Sequence, residues 1–162
     1  ALLHAVGGPW RVSLAEAATG LRAVRLAGRF QRWGAWLFDV AHNPDGAAVL
    51  ARAIRETEPP RPVTALLCVL GDKDWCGMLD ALAPVVDHIV ITDAPTAPVG
   101  RHWDAAAAAA HAAALGPRVT LQRDFDRALA LAGTQPGTRL VTGSFHTVGD
   151  AMARLQAAPL AD

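Results

Sequence analysis

"VTALLCVLGDKDW" (63–75) opens with eight residues, Val63–Leu70, that carry no hydrophobic alternation. A strand with one wetted face alternates apolar and polar side chains. A short unbroken run, stopped upstream by "EPPRP" (58–62) and downstream by a polar turn, reads as a strand covered on both faces, as in a parallel sheet. Working outward, "HIVITD" (88–93) is a second buried strand, "RVTLQ" (118–122) a third and "TRLVTG" (138–143) a fourth. Upstream, "GRFQRWGAWLFDVA" (28–41) reads as two strands about Trp33–Gly34. Helical patterns separate them. "NPDGAAVLARAIRET" (43–57) has Asn43 as N-cap and Pro44 at the first helical position. A helix after "GDKDW" runs through Leu82, and "RHWDAAAAAAHAAAL" (101–115) is helical by alanine propensity. "DFDRALALA" (124–132) and "SFHTVGDAMARLQAA" (144–158), with Ser144 as N-cap, complete the set. Ahead of them all, "SLAEAATGLRAV" (13–24) pairs Ser13 with Glu16 in a capping box. From Leu37 onward strand and helix alternate, which predicts an α/β fold with a mostly parallel sheet.

The 162 residues suggest one domain, and 52% hydrophobic content is ample for its core. A formal net charge of +0 argues against a nucleic-acid or membrane-surface binder, both of which need a basic excess. Cys68 and Cys76 show neither disulfide-framework nor zinc-site spacing, and Cys68 falls in an apolar run, so a buried free thiol in a reducing cytoplasm is expected. No apolar stretch is of membrane-spanning length, and "ALLHAVGGPW" (1–10) lacks the basic start and long apolar run of a signal peptide.

In an open parallel sheet, ligands bind beyond the carboxyl ends of the strands. The junctions there read "DVAHNP" (39–44), "LGDKDW" (70–75), "TDAP" (92–95) and "TGSFHT" (142–147). Asp39, His42, Asp72, Lys73, Asp93, Ser144 and His146 are therefore expected around one rim. Each has a structural alternative: Asp39 can bond neighbouring amides, Asp72 or Asp74 can cap a helix, and Ser144 is itself a cap. A helix opened by "TGS" nonetheless leaves amides free for a phosphate or carboxylate. Asp39 and His42 lack a third ligand at tight spacing, so no metal site is expected. A Ser144–histidine–Asp39 triad lacks the second glycine of a nucleophile elbow.

Four segments in order, "GRFQ" (28–31), "FDVAHNP" (38–44), "GDKD" (71–74) and "GSFHTVGDAM" (143–152), resemble the C-terminal domain of the bacterial bifunctional dihydrofolate synthase/folylpolyglutamate synthase family, a branch of the Mur-ligase superfamily. The "AHNP" segment is shared across the superfamily; "GRFQ" with "GSFHTV" is specific to the folate branch. The resemblance runs from about residue 11 to the end. It implies a Rossmann-like sheet with helices on both faces over residues 28–162, and residues 1–27 as the end of a preceding central domain.

By that resemblance Arg29 and Asp39 serve ATP, and His42 and Ser144 bind the incoming L-glutamate. Ala27 stands where the family's arginine motif has proline. No role is carried onto Lys73 or His146. The family's P-loop has no counterpart here, because no glycine-rich loop precedes Lys73. The implied protein is one domain of a cytoplasmic, monomeric ligase that adds L-glutamate to dihydropteroate or tetrahydrofolates through an acyl phosphate. ATP is its cosubstrate, and magnesium would be held by an N-terminal ATPase domain. Alone, this domain would be inactive. The rival readings are a stand-alone nucleotide- or anion-binding module and a serine hydrolase using Ser144.

Overall fold

In the computed structural model, which describes residues 12–24 and 26–157, the unbroken apolar run becomes the centre of the sheet. Strand β1 is Gln31–Trp33, β2 Trp36–Phe38, β3 Val63–Leu67, β4 His88–Ile91, β5 Arg118–Leu121 and β6 Thr138–Thr142. The order across the sheet is β1-β2-β6-β3-β4-β5. Only the β1–β2 hairpin is antiparallel; every other neighbouring pair is parallel. The helices are α1 Leu14–Ala23, α2 Pro44–Thr57, α3 Trp75–Leu82, α4 Ala105–Ala114, α5 Phe125–Gly133 and α6 Phe145–Leu155.

Two apolar clusters account for the lack of alternation. Val63, Ala65 and Leu67 of β3 pack with α2, α3 and α4, whereas Leu66 packs with α5 and α6. Successive side chains of a strand point to opposite faces, so both faces of β3 must be apolar when helices cover both. Leu140 and Val141 of β6 divide in the same way. The Rossmann-like arrangement with helices on both faces is thus observed. No described helix is long and apolar enough to cross a membrane.

Local signals set most element ends. Ser13 and Glu16 form the capping box of α1. Asn43 caps α2 by accepting the Gly46 amide at 2.7 Å, with Pro44 following it. Strand β3 stops at Leu67, three residues earlier than its apolar run; Cys68, Val69 and Leu70 stay buried without pairing in the sheet. The helix expected over 101–115 begins only at Ala105, because Asp104 caps it through the Ala106 and Ala107 amides. Trp103 is buried instead, and its indole N–H donates to the Thr92 carbonyl at 3.0 Å. The reading of residues 1–10, part of the proposed 1–27 linker and the last residue of the helix expected over 144–158 lie outside the described residues.

Candidate functional site

The chain order creates a divergence at the carboxyl edge of the sheet. Strand β2 leads into α2 on one face, while its parallel neighbour β6 leads into α6 on the other. Such a switch point opens a crevice between the two exits. Gly143 shapes it: its φ is +109°, and an added Cβ would lie 2.4 Å from the Cys68 carbonyl oxygen. Only glycine tolerates both the conformation and the approach. Gly71 likewise lies against the His102 carbonyl and donates its N–H to Arg101 O at 2.8 Å. That contact draws the loop after β3 against the loop ahead of α4.

A cleft of ≈ 270 Å³ occupies this crevice, lined by His42, Leu70, Lys73, Arg101, Gly143, Ser144, Phe145 and His146. It gathers four of the seven residues expected on the rim, and none of its lining side chains is acidic. Asp72 reaches it indirectly: Arg101 grips Asp72 with Nε and Nη2 at 2.7–3.0 Å, and Lys73 Nζ lies 3.4 Å from the same carboxylate. The Arg101 hydrogen bonds hold the Asp72 carboxyl below its ordinary range. Asp93 is engaged elsewhere, accepting from Arg123 Nε at 2.7 Å.

His42 donates Nδ1–H to the carbonyl two residues back, Val40 O, at 3.1 Å, since a carbonyl can only accept. When neutral, the ring therefore keeps Nε2 as an acceptor. Phe145, 58% exposed at the first turn of α6, lies 5.6 Å from the His42 ring. The Arg29 guanidinium sits 5.6 Å from the centre of the same phenyl ring. Phe145 thus joins the residue expected at ATP to one expected at glutamate. Sequence reasoning passed over it; its only local signal is an aromatic side chain directly after a cap, at the rim of a sheet. Arg101 carries no such signal, because the alanine-rich pattern extends the expected helix over it, whereas the helix starts at Ala105.

Asp39 stands behind Arg29. Its Oδ2 accepts the Phe30 amide and its Oδ1 the Ala41 amide, each at 2.9 Å. Burial raises its pKa above the ordinary carboxylate value, against the pull of these amides and of Arg29. Ser144 is 2% exposed. Its Oγ accepts the Thr147 amide at 3.0 Å and lies 2.7 Å from Thr147 Oγ1, which in turn donates to Cys68 O at 2.8 Å. The Ser144 proton is consequently directed to Thr147, and among the described residues no imidazole bonds the hydroxyl. The first amides of α6, at Phe145 and His146, have no intrahelical acceptor.

Lys73, Arg101 and a helix N-terminus around an acid-free cleft make a site for a carboxylate or phosphate. Among the described residues, no group of three or more His, Cys, Asp or Glu could hold a metal ion.

Comparison with known proteins agrees with this geometry. The model of the family described as "Mur ligase, glutamate ligase domain" matches residues 28–145. The dihydrofolate synthase/folylpolyglutamate synthase of Escherichia coli (strain K12) is 34% identical over 153 residues, 85% of this chain and 32% of that protein. Its counterpart from Mycobacterium tuberculosis is 42% identical over 76 residues, 45% of this chain and 16% of that protein. Crystal structures of Mycobacterium tuberculosis folylpolyglutamate synthase complexed with ADP and AMPPCP superpose with a TM-score of 0.77 at 30% identity, covering 93% of this chain and 37% of that one. The chain therefore spans about a third or less of the length of these relatives.

Proposed function

Since this chain belongs to the Mur ligase, glutamate ligase domain family, we propose that it is the glutamate-presenting domain of a longer ATP-dependent ligase acting on dihydropteroate or tetrahydrofolates. Residues 28–162 would form that domain and residues 1–27 would close the preceding one. In the whole enzyme a substrate carboxylate would take the γ-phosphoryl group of ATP, releasing ADP. The amine of L-glutamate would then attack the acyl phosphate, forming the amide and releasing inorganic phosphate.

The observation that carries this reading is the acid-free cleft at the switch point, with Lys73, Arg101 and the α6 amides around it. An amino acid with a second carboxylate fits those charges. His42 supplies an acceptor beside them. The Ser144 contribution is to hold the helix start in place rather than to present its hydroxyl. Arg29, exposed on Phe145, offers a permanently charged planar fork to the nucleotide from the other side. Asp39 keeps the Arg29 turn in register. Magnesium, which neutralises phosphate charge during transfer, would be held by the ATPase domain. Closure of the two domains would exclude water from the acyl phosphate. The bonding of Ser144 gives the hydrolase reading no base to work with.

Steady-state kinetics of the polypeptide that joins this domain to a P-loop domain test the proposal. His42→Ala should raise KM for glutamate by about tenfold or more, the worth of one good hydrogen bond to a charged group, with KM for ATP little changed. Equal effects on both substrates, or an upstream reading frame without a P-loop, would overturn it.

A further inference from the structure

The cleft holds several donors, which alone would bind any dicarboxylate, and one acceptor already described, Nε2 of His42. A glutamate also brings an ammonium group, which needs an acceptor. His146 is built to be one. His146 is among the residues lining the cleft, and its Nδ1 lies 3.0 Å from Thr96 Oγ1, in the loop after β4. The Thr96 hydroxyl donates to Asp150 Oδ2 at 3.1 Å, and the Thr96 amide donates to the same oxygen at 3.1 Å. With its proton committed to Asp150, the Thr96 oxygen can only accept from the ring. Asp150 is 5% exposed, one turn along α6, and Arg154 lies 3.8 Å from its other oxygen. Nδ1 must therefore carry the hydrogen, which makes Nε2 of the neutral ring an acceptor. Nε2 has no partner among the described residues.

Resting on the glutamate reading above, we propose that Thr96 and Asp150 are positioning residues that fix the tautomer of His146 so that its Nε2 accepts from the ammonium group of the bound amino acid. This bond distinguishes an amino acid from the dicarboxylic acid of the same length. The chain Asp150–Thr96–His146 links two segments distant in sequence, α6 and the loop after β4, and each link has its donor and acceptor defined. Among the described residues, the other cleft imidazole, His42, is fixed independently through Val40.

The test is ¹⁵N NMR of the histidine rings in this chain at a pH of about 8, where imidazole is ordinarily neutral, during titration with L-glutamate and, separately, glutarate. The expected result is a single Nδ1–H tautomer for His146, with its Nε2 signal moved by glutamate and not by glutarate. Thr96→Val should admit the other tautomer and lower the preference for glutamate over glutarate by about tenfold, the worth of one hydrogen bond; Thr96→Ser should restore both. A mixed tautomer in the unaltered chain, or an unchanged preference in Thr96→Val, overturns the proposal while leaving the glutamate site standing. If both ligands move the His146 Nε2 signal alike, His146 does not read the amine, and the proposal falls. Should neither ligand move any cleft signal, the glutamate reading falls and takes the proposal with it.

Discussion

Asp39 holds Phe30 from the end of the neighbouring strand, its Oδ2 accepting the Phe30 amide at 2.9 Å while Oδ1 accepts that of Ala41. Phe30 has φ +48°, in the left-handed region, so the turn carrying Arg29 persists only because something pins it. Asp39→Ala removes both acceptors and should cost about 1–3 kcal/mol, the range for stranding buried donors, read from the urea midpoint. Asp39→Asn should also destabilise, because one of its two positions becomes a donor facing a donor.

Ser144→Ala strands the Thr147 amide and breaks the link through Thr147 to Cys68 O. A cap of this kind is worth roughly 1–2 kcal/mol, and the loss should appear in thermal unfolding even with no ligand present. A variant of undiminished stability would contradict the structural role assigned to this hydroxyl.

Acid sensitivity should trace to His88, which sits at the far end of the sheet. It is buried, with Nδ1 2.7 Å from Arg118 Nη2 and Nε2 2.9 Å from Thr120 Oγ1. Burial, and then the Arg118 charge, hold its pKa below the ordinary 6.5. The folded chain thus binds this proton less readily than the unfolded one. The stabilisation is complete above 6.5 and is lost as pH falls from there through the lower folded value. Asp39, with its raised pKa, acts oppositely at lower pH: its contribution is full below 3.8 and lost as pH rises through the folded value. Denaturation midpoints between about pH 7.5 and 5.5, a window set by the ordinary histidine pKa, should fall in the unaltered chain and flatten in His88→Gln.

The two thiols should separate chemically. Burial pushes Cys68 up to about 11 and covers it, while Cys76 is half-buried. The thiolate is the reactive form, so a neutral alkylating reagent should label Cys76 in the native chain and reach Cys68 only on unfolding. Mass spectrometry of the labelled peptides decides the matter.

The pattern of apolar runs, the Asn43–Pro44 start and the Ser13–Glu16 box were legible because each is written in neighbouring residues. The placement of β6 between β2 and β3 was not, since strand order depends on contacts 75 and 103 residues apart in sequence (Val63 with Thr138, Trp36 with Arg139). The rim was legible as a set of loops. Its inner wiring was not: Thr96, Asp150 and Phe145 carry no local signal of what they touch. The alanine run drew the helix of α4 too far upstream, although Asp104, immediately before the first alanine, marks the observed start.

On the proposed function, nucleotide and glutamate meet different parts of one sheet edge. Amide NMR of this chain, titrated in turn with a non-hydrolysable ATP analogue and with L-glutamate, tests it most directly. The analogue should perturb the turn around Arg29 and Phe30, and glutamate the start of α6 together with His42. Perturbation of the same residues by both ligands, or of residues away from this edge, would contradict the account.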